Sequence, residues 1–296
     1  MRNILLLICI VAFAGAATAQ PNLNLRGAAD FFGHVKTISS MTVTYENDGT
    51  LASFGDQGGA IVSYDRAGNE IESTTLDEKK TPLYRVAKAY DNEGKLSETS
   101  FHDSAGKIAG KQTFCYESGR LAEVLEYDNA GTLRFKSTKS YDSTGKLTLE
   151  TYYDPVNAVS KTVFKYDQKG NWIESAYFLT DGTKEMANVG PCLGVHRIAS
   201  IYDADGKLIT REFFYPGGPR SRKLSWVHGE NGTHSEYLVE GEYTTTKYTY
   251  KYEFDEKRNW IKRTAIGSSV LKETKNLKNP RPQITTTVTT REITYH

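Results

Sequence analysis

Apolar residues in this chain stand on either side of short polar turns, with no helical spacing of three and four between them. The seven residues Tyr90-Asp91-Asn92-Glu93-Gly94-Lys95-Leu96 place an aromatic ring before, and an aliphatic side chain after, a polar stretch that contains one glycine. The pattern returns at Tyr127–Leu133, Tyr141–Leu147, Tyr166–Trp172 and Tyr202–Leu208. Looser copies span His102–Ile108, Tyr116–Leu121 (one residue shorter), Tyr153–Val159 and Phe254–Trp260, with an earlier pair at Tyr45–Leu51 and Tyr64–Ile71. Self-similarity at a fixed period marks a repeat architecture.

The chemistry of the unit is that of a tight hairpin. Asp at the first turn position and Gly at the fourth suit a type I turn, and the carboxylate accepts a hydrogen bond from the backbone two residues on. The glycine takes the left-handed conformation and closes the loop with a bulge. The Tyr then faces the Leu or Trp across the hairpin, a cross-strand pair contributing roughly 0.2–1 kcal/mol. From one Leu position to the next Tyr position the steps are 6 (Leu96 to His102), 8 (Ile108 to Tyr116), 6 (Leu121 to Tyr127), 8 and 6 again. Even steps put both ends of a strand on one face. Val159 to Tyr166 and Leu208 to Tyr215 are odd, which predicts bulged or irregular strands there.

The fold class that follows is all-β: tandem antiparallel hairpins making a meander of fourteen to sixteen strands. A twisted open sheet of that size has to curl or split. The expectation is therefore one long coiled sheet, an open spiral or two layers, with every Tyr–Leu pair inward. Lys95, Ser97, Thr99, Lys107, Lys111 and Glu126 are expected outward. Residues 73–81 read as an exposed charged connection, and residues 183–197 as the largest insertion. His34–Ile38 and Ile284–Tyr295 read as capping strands at the two ends.

Composition changes the picture in three ways. Met1-Arg2-Asn3, the apolar run Ile4–Ala14 and Ala17-Thr18-Ala19 form the pattern of a cleaved secretory signal over residues 1–19. This predicts one β-repeat domain over 20–296 that is exported to the periplasm, outer surface or medium without spanning a membrane. Removing residues 1–19 takes away Arg2 alone and leaves acids and bases balanced, so no electrostatic case exists for nucleic acid. Cys115 and Cys192 could pair in an oxidising compartment, but they are 77 residues apart in the chain and could equally be two small buried residues.

With those residues in view, the chain resembles the RHS or YD-repeat group of bacterial exported proteins. The Tyr-Asp-x-x-Gly-x-Leu units carry the resemblance, with Gly170-Asn171-Trp172-Ile173, Arg258-Asn259-Trp260-Ile261, Phe32–Thr37 and Asp181-Gly182-Thr183. It implies a coiled antiparallel sheet used, in large relatives, for surface display or as a shell around a toxin. This chain is far too short for a large shell, and its turns run to the C-terminus without an added toxin domain.

Candidate chemistry is sparse. Asp91, Asp128, Asp142, Asp167 and Asp203 read as turn formers; Asp203-x-Asp205-Gly206 echoes a calcium loop but lacks its further ligands. His228 and His234 flank Glu230 in a Gly-rich turn, away from the helical spacing of zinc hydrolases. Cys192 and His196 lack an orienting third group. Trp172, Trp226 and Trp260 with the Tyr ladder could stack a sugar or peptide, although two of them fill the Leu slot and read as core, leaving Trp226 the freest. Asn231-Gly232-Thr233 matches a glycosylation acceptor, which the bacterial style of the repeat discounts. No residue is assigned a catalytic, cofactor-binding or metal role. The leading expectation is a non-enzymatic binding or envelope scaffold module with a protein or glycan partner. The alternatives are a cell-wall or polysaccharide-active enzyme working from 183–197 or 228–234, and a shell fragment of a polymorphic toxin.

Overall fold

The computed structural model describes residues 31–52, 58–154, 157–179, 196–216, 220–229, 233–272 and 280–296. The signal segment 1–19 and all but the last two residues of the 183–197 insertion lie outside them. The described elements are strands: β1 Val35–Glu46, β2 Gly58–Tyr64, β3 Glu70–Leu76, β4 Pro82–Tyr90, β5 Leu96–Asp103 and β6 Ile108–Glu117. There follow β7 Arg120–Asp128, β8 Leu133–Tyr141, β9 Leu147–Asp154, β10 Asn157–Tyr166, β11 Trp172–Leu179 and β12 Arg197–Tyr202. The last six are β13 Leu208–Phe214, β14 Arg220–His228, β15 His234–Glu240, β16 Thr244–Phe254, β17 Trp260–Leu271 and β18 Gln283–Tyr295. Among the described residues no helix is long and apolar enough to cross a membrane.

The turns form as their chemistry dictates. In the first complete copy the Asp91 N–H donates to Lys95 O at 2.8 Å and the Gly94 N–H to Asp91 O at 3.0 Å. Asp91 Oδ1 accepts from the backbone N–H groups of Glu93 and Lys95 at 2.9 and 2.8 Å. The same bonds recur at Asp103, Asp128, Asp142 and Asp203. Gly94, Gly131, Gly145, Gly170 and Gly206 all sit at φ between 76° and 91°, where an L side chain is strained. The short Tyr116–Leu121 copy turns on Ser118 (φ 49°) and Gly119 (φ 79°), the two positive values a two-residue type I′ hairpin needs.

Residues 73–81 are corrected by the structure. Ser73–Leu76 belong to β3, and Asp77–Thr81 make the same turn as Asp91, with Lys80 at φ 65° in the glycine position. Absence of the glycine hid this copy.

The clasps pair as expected: Tyr90 with Leu96, Tyr127 with Leu133, Tyr141 with Leu147, Tyr166 with Trp172, Tyr202 with Leu208 and Phe254 with Trp260. One step beyond each the register shifts, so that Ala89 pairs with Glu98 and Ser140 with Leu149. A bulge of this kind takes one residue out of the ladder and bends the strand. Phenols meet the backbone at these points. Tyr141 donates to Leu121 O, Tyr90 to Glu70 O and Tyr202 to Trp172 O, at 2.7, 2.7 and 2.9 Å. The odd strands carry further shifts, between Ala158 and Ser160 and between Phe213 and Phe214.

The clasp bulge overturns the expected division of faces. An extra residue after each Leu slot inverts the in–out alternation of the strand that follows. Thr99 and Glu126, expected outward, are 2% and 8% exposed. Tyr127, next to Glu126, therefore lies on the opposite face, whereas Tyr141 shares a face with buried Lys139 two residues away. Successive clasps alternate between faces, so they do not share one buried side.

The open spiral or two-layer coil is also overturned. All 18 strands belong to one antiparallel sheet in which chain neighbours pair, and β1 pairs with β18 as well as with β2, from Val35–Tyr295 to Glu46–Thr285. The expected capping strands join each other: the sheet closes on itself, with the connectivity of an 18-stranded antiparallel barrel. The 18 strands exceed the expected fourteen to sixteen in part because the stretch holding the Asp77–Thr81 turn reads as a connection. Cross-strand hydroxyl pairs Thr42–Thr289 and Thr44–Thr287, each at 3.0 Å, line this seam. Buried Val35, Ile38, Val62 and Tyr64, packed by Phe31, Ile293 and Tyr295, form its apolar cluster.

Two compact units divide the chain. One is Thr113–Ser225; the other combines Asn22–Gln112 with Trp226–His296. In the first, the buried face of β7–β14 mixes apolar Val124, Ile198, Phe213 and Leu224 with polar Ser137, Thr162, Ser175, Ser200 and Arg211. Lys139 and Glu150 form an ion pair on it. The opposite face of each unit carries cross-strand ion pairs: Lys165–Glu174 (2.7 Å), Arg197–Glu174 (2.9 Å) and Lys136–Glu123 in the first, Arg85–Glu72 (2.8 Å), Lys111–Glu98 (3.1 Å), Lys247–Glu236 (2.9 Å) and Lys262–Glu253 (2.7 Å) in the second.

Candidate functional site

In the second unit, strand periodicity assembles a strip of aromatic rings. β16 reads Thr244-Thr-Thr-Lys-Tyr248-Thr-Tyr250-Lys-Tyr252-Glu-Phe254, four rings at period two with Lys247, Thr249, Lys251 and Glu253 between them. Alternation sends the rings to one face and the polar residues to the other. Ring centroids lie 6.5 Å apart for Tyr248–Tyr250, 6.2 Å for Tyr250–Tyr252 and 6.1 Å for Tyr252–Phe254. Register extends the strip sideways. Tyr237 lies opposite Tyr248 with centroids 5.9 Å apart, Trp226 stacks on Tyr237 at 5.5 Å, and Trp260 meets Tyr252 edge-on at 6.1 Å.

Two guanidiniums close one end. Arg291 lies over the Trp260 ring at 3.3 Å, and Arg263 stands 5.5 Å from that ring and 5.8 Å from Tyr250. Arg263 donates through Nη2 to Thr289 Oγ1 at 3.3 Å, while its buried Nε has no hydrogen-bond partner among the described residues. Burial holds the Tyr250 phenol far above its ordinary range, more strongly than Arg263 pulls it down. The strip therefore offers π faces, phenol hydroxyls and fixed positive charge. That is the equipment of recognition.

The sequence-predicted positions separate clearly. The five turn aspartates hold their own backbone, as described, and no group of three or more His, Cys, Asp or Glu capable of holding a metal occurs among the described residues. Trp172 is 4% exposed, under the Arg211 guanidinium at 4.7 Å, with its Nε1–H donated to Glu174 O. Trp226, expected to be the freest tryptophan, is 6% exposed, because the register stacks Tyr237 on it; Trp260 in the Leu slot is the half-buried one. His196 is buried, with its Nδ1–H donated to Tyr177 O at 2.7 Å and Phe178 edge-on to the ring. Its proposed partner Cys192 lies outside the described residues, as do Glu230 and Asn231. Cys115 is an exposed free thiol. His228 and His234 come together, ring centroids 5.0 Å apart. The strip's signal, aromatics at period two over residues 248–254, was present in the sequence; its junction with Trp226 and Trp260 needed the register.

No protein-family model matches the chain, and no curated protein matches it. Among solved structures it is similar to a porin-like protein from Bacteroides uniformis ATCC 8492, at 12% identity over 88% of this chain and 96% of that one, with a TM-score of 0.43. It is also similar to TcdB2-TccC3-Cdc42 at 11% identity, covering 82% of this chain but 18% of that one, TM-score 0.19. TcdB2-TccC3 without its hypervariable C-terminal region matches at 10% identity with the same coverage, TM-score 0.20. The chain thus spans less than a fifth of the last two. Superposition this loose passes no function from those proteins to this chain.

Proposed function

We propose that the chain is an exported, non-enzymatic β-repeat protein of the YD-repeat kind that binds a glycan at the cell envelope through the strip from Trp226 to Trp260. The observation that carries this reading is the unbroken run of ring contacts ending at Arg263 and Arg291. Aromatic faces stack on the C–H faces of sugar rings, and guanidinium and phenol donors suit sugar hydroxyls or carboxylates. Export rests on the signal pattern of residues 1–19. The protein works in water and does not span a bilayer. Both sheet faces carry charge, and a Lys or Arg facing lipid near the bilayer midplane costs about 2–4 kcal/mol.

Purified protein tested against immobilised envelope polysaccharides and peptidoglycan should retain at least one of them. Tyr250→Ala with Trp260→Ala should weaken that retention about tenfold or more. Wild type that retains no glycan, or a folded double variant that retains it equally, refutes the reading. Release from membranes by alkaline carbonate without detergent is expected; a requirement for detergent would contradict the aqueous placement.

A further inference from the structure

His228 and His234 stand where the repeat elsewhere places Tyr and Leu or Trp. The Gly229 N–H donates to Thr233 O at 2.8 Å, the bond that the Asp91 N–H makes to Lys95 O in the regular turn. Ser235 Oγ donates to Val227 O at 3.3 Å, as Ser97 Oγ does to Ala89 O at 3.2 Å and Thr148 Oγ1 to Ser140 O at 3.1 Å. In those two hairpins the residues one step inward are the clasp pairs Tyr90–Leu96 and Tyr141–Leu147. The equivalent residues here are His228 and His234. The backbone of the clasp is kept while both of its side chains become imidazoles, on facing strands 5.0 Å apart between ring centroids with planes tilted by 40°.

We propose that this rewritten clasp is a binding site for a transition-metal ion of the zinc type, with His228 and His234 as its two protein ligands. A tetrahedral ion about 2.0–2.1 Å from one nitrogen of each ring holds the two ring centres roughly 5 Å apart, the separation already present. Neutral imidazole is the ordinary nitrogen ligand for zinc, copper and nickel, whereas magnesium and calcium take oxygen. The hairpin supplies both ligands on adjacent strands joined by a tight turn, so little chain entropy is lost on binding. The ion replaces the apolar Tyr–Leu contact as the fastener of this hairpin and leaves further coordination positions for water or a bound partner. This site is independent of the glycan reading, since it lies past Trp226 at the turn and uses none of the strip's rings.

The test uses tag-free, metal-stripped full-length protein titrated with Zn(II), with Mg(II) as a control, by calorimetry and thermal unfolding. Wild type should take up one equivalent of Zn(II), ignore Mg(II), and unfold at a higher temperature with zinc present. His234→Gln should bind at least about tenfold more weakly, since changes outside the ligand set already cost about 10–100-fold. His228→Tyr with His234→Leu rebuilds the repeat's own clasp; it should fold with unchanged circular dichroism and show no zinc-dependent shift. A rebuilt clasp that binds zinc like wild type places the ion at other histidines and overturns the proposal. So does wild type with no zinc uptake, which would leave the imidazoles as a packing pair only.

Discussion

The turns after Tyr166 and after Phe254 are near copies, Asp167-Gln-Lys-Gly-Asn171-Trp172-Ile173 and Asp255-Glu-Lys-Arg-Asn259-Trp260-Ile261, yet they do different work. Both aspartates hold the turn backbone: Asp167 accepts from the Asn171 N–H and Asp255 from the Asn259 N–H, each at 2.8 Å. Beyond that they diverge. The Asn171 side chain donates back to Asp167 at 2.9 Å, so that turn satisfies itself. The Asn259 side chain reaches out to both ends of the described chain. It donates to Phe32 O at 2.8 Å and to the Tyr295 hydroxyl at 2.9 Å, and accepts from the Phe32 N–H at 2.9 Å. Tyr295 in turn donates to Asp255, and Lys257 lies over its ring at 3.5 Å. Trp172 is buried beneath Arg211, and Trp260 is half-open beside Arg263 and Arg291. One local motif serves as a core hairpin in the first unit and as the lock on the β1–β18 seam in the second.

The sharpest way to break the comparison is through the tryptophans. Trp172→Ala should cost about 3–5 kcal/mol in urea unfolding, whereas Trp260→Ala should cost clearly less stability but most of the glycan retention. Equal stability losses would erase the distinction. The asparagines come next. Asn259→Ala removes three hydrogen bonds made by a buried side chain to Phe32 and Tyr295 and should lose about 2–3 kcal/mol, against about 1 kcal/mol for Asn171→Ala; hydrogen exchange in β1 and β18 should rise in the first variant only.

Exchanging the turn residue is subtler. Gly170→Ala at φ 91° should cost about 1–2 kcal/mol, and Arg258→Gly, which relieves an arginine at φ 67°, should gain about 1 kcal/mol. The reverse signs would place the glycine requirement outside the turn. The smallest effect is on pH. The side-chain hydrogen bond from Asn171, with backbone donors behind it, holds the Asp167 carboxyl below its ordinary range. A carboxyl depressed in the folded state contributes stability that is whole above its unfolded value and fades as pH falls through the folded value. Asp167→Asn should therefore flatten the acid limb of the stability profile slightly, and an unchanged limb would assign it elsewhere.

Much of the architecture was legible because it is local. Asp and Gly three positions apart announce a turn wherever they occur, and the flanking Tyr and Leu face each other because the turn geometry leaves them no other partner. Asp77–Thr81 escaped notice because Lys80 occupies the glycine position. The face assignment failed at Thr99 and Glu126 because a bulge adds a residue to the pairing without any mark in composition. The strip was half legible: Tyr248, Tyr250, Tyr252 and Phe254 alternate in plain view, but Trp226, read as the freest tryptophan, is covered by Tyr237 stacking on it from the next strand.

By itself the chain's order of residues determined the hairpins, their turn chemistry, the clasp pairs and the all-β class, since each depends on contacts among residues fewer than ten positions apart. Tertiary structure alone decided that β1 meets β18, that Asn259 ties Phe32 to Tyr295, and that Trp226, Tyr237 and Tyr248 stack in one strip. Those depend on register between strands, and in the first two cases between the two ends of the chain; register is set by bulges and cross-strand fit summed over many strands, a quantity no short window contains.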